Sequence, residues 1–149
     1  MAILDSNPRA DDDARRENRR RQLARAREFG VGQLTRDELS KVYLAPHNQT
    51  PELIEVAVQM AEGHGVEVYA RQLNALMTRQ SSLSHLADYK GPTLVLCGDM
   101  DALCLPEWHV EMAQLMPNAT LSLIPNAGHL ATIEEPELVN AALLEWLQR

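Results

Sequence analysis

Two residues in this 149-residue chain have the type and setting for proton-transfer chemistry. Asp101 closes the segment Gly98-Asp99-Met100-Asp101, directly after the apolar run Thr93 to Cys97. His129 closes Asn126-Ala127-Gly128-His129, directly after a second β-prone run, Ala119 to Ile124. If both runs are strands of one parallel sheet, both residues sit in loops beyond the strands' carboxyl ends, where open α/β sheets carry their chemistry. An acid and an imidazole there can meet at hydrogen-bond distance. The carboxylate would hold one ring nitrogen and stabilise the imidazolium, and the other nitrogen would take a proton from a nucleophile. Asp99 is the competing acid. The bland alternatives are an aspartate that caps its own turn and a structural loop histidine.

The elements that must position this pair are legible in the pattern. Thr93-Leu94-Val95-Leu96-Cys97 is continuously apolar and partly β-branched, which marks a strand buried on both faces of a parallel sheet. Pro106 opens a helix to Met116, with Met112, Ala113 and Met116 on one face. A last amphipathic helix runs from Pro136 to Leu147, with Leu138, Val139, Ala142, Leu143, Trp146 and Leu147 on one side. Strand, helix, strand, helix at this spacing is a right-handed α/β unit.

Upstream the pattern is helical. Met1 to Leu4 is a short apolar run, stopped by the turn signal Asp5-Ser6-Asn7-Pro8. Asp11, Asp12 and Asp13 suit the start of a helix over Ala14 to Phe29, closed by Gly30. Thr35 and Glu38 have capping-box spacing for a short helix to about Leu44, broken by Pro46. Thr50 and Pro51 open a helix to Glu62 that Gly63 is expected to close, and Val66 to Arg79 forms another.

Composition narrows the function classes. Residues 1–90 hold 13 Lys/Arg and 13 Asp/Glu; residues 91–149 hold one Arg against eight acids, which accounts for the net charge of −7. That balance argues against nucleic acid as a partner, because phosphate contacts need Lys and Arg. The arginines at 15, 16, 19, 20, 21, 25 and 27 read as a solvated helix face. No apolar run approaches the roughly 20 residues a membrane span requires, and Met1-Ala-Ile-Leu-Asp lacks the basic start of a secretory signal. A cytoplasmic location is the expectation, with the two cysteines reduced. Cys97 and Cys104 lack a second pair, and His47, His64, His85 and His109 show no ligand spacing, so neither a metal nor another cofactor is expected.

The segment Gly91 to Asp101, the helix opened by Pro106, Leu123-Ile-Pro-Asn-Ala-Gly-His-Leu130 and the closing helix together resemble the C-terminal part of an α/β-hydrolase. The resemblance makes Asp101 the catalytic acid and His129 the catalytic base. It implies an α/β fold in which a helical cap precedes a partial parallel sheet: residues 1–10 a strand remnant, 11–90 the cap, 91–149 the C-terminal core segment. Tyr43 and Trp108 would then line an acyl pocket or simply pack. The family's nucleophile sits in a Gly-x-Ser-x-Gly elbow, and none of the six serines, at 6, 40, 81, 82, 84 and 122, has that context. The expectation is therefore a piece of an esterase-like enzyme. It would supply the Asp–His pair for a small-molecule acyl substrate and be inactive alone. A chain lacking the other strands should associate, as a homo-oligomer or with a complementing N-terminal half; a non-catalytic assembly module is the alternative.

Overall fold

The computed structural model describes residues 1–148. The chain divides into two compact units. One holds residues 1–8, 42–48 and the segment from Ser82 onward; the other holds Arg9–Lys41 and Gln49–Ser81.

The first unit is a three-stranded parallel sheet in the order β1-β2-β3, with β1 at Ala2–Leu4, β2 at Thr93–Gly98 and β3 at Ala119–Ile124. Ala2 faces Leu94 across one ladder, and Gly98 faces Ile124 across the other. All six β2 residues are buried, as a central parallel strand requires. Side-chain alternation splits the core in two. Leu94 and Leu96 join Ile124, Ala127, Ala131 and Val139 on one face. Val95 joins Leu86, Met112 and Met116 on the other.

Helix α6 (Pro106–Leu115) covers the second face, with Ala113 packed beside Met112 and Met116 as the spacing implies. Helix α8 (Pro136–Leu147) covers the first face through Val139, Ala142, Leu143 and Trp146. Its apolar side is narrower than the sequence suggests: Leu138 and Leu147 are exposed. The short helices α5 (Leu83–Leu86) and α7 (Ala131–Glu134) complete this unit.

In the second unit, α1 (Asp13–Phe29) starts where Asp12 accepts the Arg15 amide at 2.7 Å and ends at Gly30, whose φ of 89° only glycine adopts at low cost. Asp11 does more than favour the helix dipole. It is buried and paired with Arg19 and Arg79, which hold its carboxyl below the usual range against the cost of burial. Arg16, Arg20 and Arg25 pair with Asp13, Glu17 and Glu38.

Two boundary expectations are corrected here. Thr35 caps nothing: α2 (Val31–Leu34) runs on through a π-helical turn, Thr35–Leu39, into α3 (Ser40–Tyr43). The Thr35 hydroxyl instead donates to the Val31 carbonyl one turn back. The long helix α4 (Pro51–Thr78), capped by Thr50, passes through Gly63 and breaks at Gly65, which carries the positive φ of 76°. Among the described residues no helix is long and apolar enough to cross a membrane.

Candidate active site

The two loops that follow β2 and β3 are laced together by backbone. The Asp99 amide donates to the Ile124 carbonyl and the Met100 amide to the Ala127 carbonyl, each at 2.9 Å. The lacing explains both glycines of the sequence motifs. A Cβ at Gly98 would fall on the Ala127 and Gly128 carbonyl oxygens, and one at Gly128 would lie 2.6 Å from the Ala45 amide nitrogen. Only glycine allows such backbone approaches.

Within this frame Asp101 is fixed from both sides. Its Oδ1 accepts the Leu103 and Cys104 amides at 2.8 Å each. Its Oδ2 lies 3.0 Å from His129 Nδ1. The Asp101 side chain is fully buried and that of His129 is 20% exposed. Asp101 thus both caps its turn and orients the imidazole, and the competing Asp99 is exposed. Burial disfavours the imidazolium, but the hydrogen bond to Asp101 and its charge, with the neighbouring Cys104 thiol, push the His129 pKa up to about 10. The Tyr43 ring packs against the imidazole with centroids 5.9 Å apart. Trp108 is half-buried on α6.

Three residues not singled out for the site support it. Asp5, at the end of β1, takes a φ of 43° and accepts the Gly98 amide through Oδ1 at 3.1 Å. Burial raises its carboxyl pKa to about 7 against that bond. Glu134 Oε1 accepts the Gly128 amide at 2.9 Å, while Oε2 accepts the Ala45 amide at 2.8 Å and the Asn48 side-chain amide at 3.1 Å. Glu134 therefore ties the histidine loop to residues 45–48. His109 is fully buried; its Nε2 accepts the Ser6 amide at 2.9 Å, so Nδ1 carries the proton and faces the Leu105 carbonyl at 3.2 Å. Burial pulls its pKa down. The clue to Asp5 was its position, an acid at a parallel strand's carboxyl end. His109 and Glu134 carry no local signal.

A parallel sheet flanked by helices, with an aspartate and a histidine meeting beyond neighbouring strand ends, defines the class: the chain belongs to the alpha/beta hydrolase family, whose model matches residues 2–142. Among individual proteins it resembles the "Putative carbamate hydrolase RutD" of Serratia proteamaculans, 36% identical over 93 residues, which are 62% of this chain and 34% of that protein. It also resembles the sn-1-specific diacylglycerol lipase ABHD11 of Mus musculus, 31% identical over 57% of this chain and 27% of that one. Among solved structures, a thermophilic esterase from Thermogutta terrifontis superposes with a TM-score of 0.89 at 34% identity, covering 99% of this chain. The chain spans 54% of that esterase's length. An enol-lactonase from Burkholderia xenovorans shares the fold, with a TM-score of 0.85 at 19% identity.

Proposed function

We propose that this chain supplies the acid and base of a Ser–His–Asp hydrolase for a small carboxylic ester or related acyl compound. The nucleophile and oxyanion hole come from a polypeptide segment outside these 149 residues. The observation that carries the reading is the Asp101–His129 contact of 3.0 Å, with the other Asp101 oxygen anchored by two backbone amides. Asp101 Oδ2 accepts the Nδ1 proton, and Nε2 is the base once the ring is neutral; in this chain alone the raised pKa of about 10 keeps the ring protonated at neutral pH. Nε2 takes the proton of an attacking hydroxyl as the imidazolium forms against Asp101, then gives it to the leaving group. The names of the relatives, an esterase, a carbamate hydrolase and a glycerolipid lipase, agree with acyl chemistry. The helical unit of Arg9–Lys41 and Gln49–Ser81 serves as the cap, a narrower span than 11–90, and two buried free cysteines suit a reducing cytoplasm.

The test is hydrolysis of short p-nitrophenyl esters by the purified chain. No saturable turnover is expected beyond that of His129→Ala, since no Gly-x-Ser-x-Gly elbow is present. Saturable turnover lost in both His129→Ala and Asp101→Ala would place a nucleophile within this chain and overturn the division of labour.

A second reading concerns assembly. Strand β1 borders only β2 in the sheet, and Met1, Leu123, Leu144 and Leu147 are exposed. A free parallel edge beside exposed apolar side chains favours pairing with the complementing segment or with a second copy. Sedimentation over a wide dilution range should show concentration-dependent association; a compact monomer throughout would count against it.

A further inference from the structure

We propose that Asp101, Cys104 and His129 form a binding site for a zinc-class divalent cation that overlaps the acid–base pair. One ligand atom from each residue, a carboxylate oxygen, the thiol sulfur and a ring nitrogen, lies within 4.8 Å of the other two. Around a tetrahedral zinc ion with bonds of about 2.0–2.3 Å, such atoms stand roughly 3–4 Å apart. Small side-chain rotations therefore close the site. Carboxylate, thiolate and imidazole together suit zinc and its chemical relatives and disfavour magnesium and calcium, which take oxygen.

The sequence hides this site, because its cysteine pair is the wrong one to consider. Cys97 lies within β2 and takes no part, whereas Cys104 is three residues past Asp101 in the turn before α6. The turn is also built for it. The Leu103 and Cys104 amides occupy Asp101 Oδ1 and leave Oδ2 directed at the imidazole. That fixes the carboxylate before any ion arrives, as hydrogen bonds to a metal-ligating carboxylate do. Cys104 and Asp101 are buried, and the partly exposed His129 edge gives the ion its approach.

Binding releases the thiol proton to water, and His129 ligates as a neutral imidazole: an imidazolium gives up its second proton, whereas a neutral ring shifts its proton to the nitrogen that does not ligate. The metal then bonds to sulfur, nitrogen and oxygen, and water fills the fourth position. Occupancy and proton relay are mutually exclusive, since the carboxylate and imidazole cannot serve both. The binding claim stands independently of the hydrolase reading; only the consequence that zinc-class ions switch off the acid–base pair rests on it.

The experiment is cobalt(II) titration of the reduced full chain, followed by zinc competition. Cobalt should produce a thiolate-to-metal charge-transfer absorption and tetrahedral-type visible bands, both abolished by excess zinc. Cys104→Ser should remove the charge-transfer band, and Cys97→Ser should retain it. Asp101→Asn, which keeps the turn's acceptor, and His129→Ala should each weaken zinc binding by at least about tenfold, in line with loss of one metal contact. Circular dichroism checks the fold of each variant. No charge-transfer band in folded wild-type chain, or a band that survives Cys104→Ser, would overturn the proposal. Ester turnover is a separate readout, so failure of the hydrolase reading leaves this result interpretable.

Discussion

Replacing Asp101 by Asn removes the negative charge beside His129 while keeping an oxygen to accept the Leu103 and Cys104 amides. The turn should persist and the electrostatics should not. In the wild type the His129 pKa stands at about 10 against an ordinary 6.5. A folded pKa above the unfolded one means that the folded state binds the extra proton. The stabilisation is therefore complete below about pH 6.5 and lost as pH rises through about 10. The gap between 6.5 and about 10 corresponds to a stabilisation on the order of 5 kcal/mol, at about 1.4 kcal/mol per pH unit. Without the Asp101 charge, burial of the ring works against the imidazolium with less opposition, and the pKa should fall by ~2 units or more. The assay is an NMR titration of the His129 imidazole carbons in both proteins. Urea unfolding at about pH 6 and about pH 10 measures the linked stability. A wild-type His129 that titrates near 6.5 and is unmoved by Asp101→Asn would refute the pairing.

Glu134→Ala strips the acceptor from the Ala45, Gly128 and Asn48 donors, and bonds to a charged group are worth about 1.5–3 kcal/mol each but overlap, so urea unfolding should show a loss of about 2–4 kcal/mol. A loss below ~0.5 kcal/mol would show that the brace is not formed. Gly98→Ala drives a Cβ into the Ala127 and Gly128 carbonyls and should both destabilise the chain and return the His129 titration toward its ordinary value; a neutral variant would contradict the close approach. His109 carries the opposite linkage from His129. Its pKa is lowered from 6.5 by burial, so its contribution is present above that value and lost as pH falls below it. NMR should find its Nε2 unprotonated where ordinary histidines are already charged, and an imidazolium there would contradict the Ser6 bond.

The parts of the fold read correctly from sequence were those specified locally. The apolar run Thr93 to Cys97, the proline at 106 and the proline at 136 mark a buried strand and two helix starts without reference to anything distant. Asp101 and His129 were legible because each follows such a strand with a glycine close by. The reason for those glycines, backbone crossing backbone, became visible only in three dimensions. The missed residues act across long separations. Asp5 meets Gly98, Ser6 meets His109, and Glu134 meets Ala45, pairings between segments some ninety or more residues apart. Thr35 misled for a related reason: its spacing to Glu38 is that of a cap, but the helix already running from Val31 leaves no free end there. Gly63 and Gly65 were equivalent on paper, and the break falls at the one whose backbone takes a positive φ.

The most direct test of the acid–base role is reconstitution. The part of the Thermogutta terrifontis esterase outside the matched region can be combined with this chain, with complex formation followed by sedimentation and turnover by release of p-nitrophenol. Saturable ester hydrolysis by the complex is expected, lost in His129→Ala and reduced by about four orders of magnitude in Asp101→Asn. An assembled complex that turns over nothing, or one whose turnover survives His129→Ala, would contradict it.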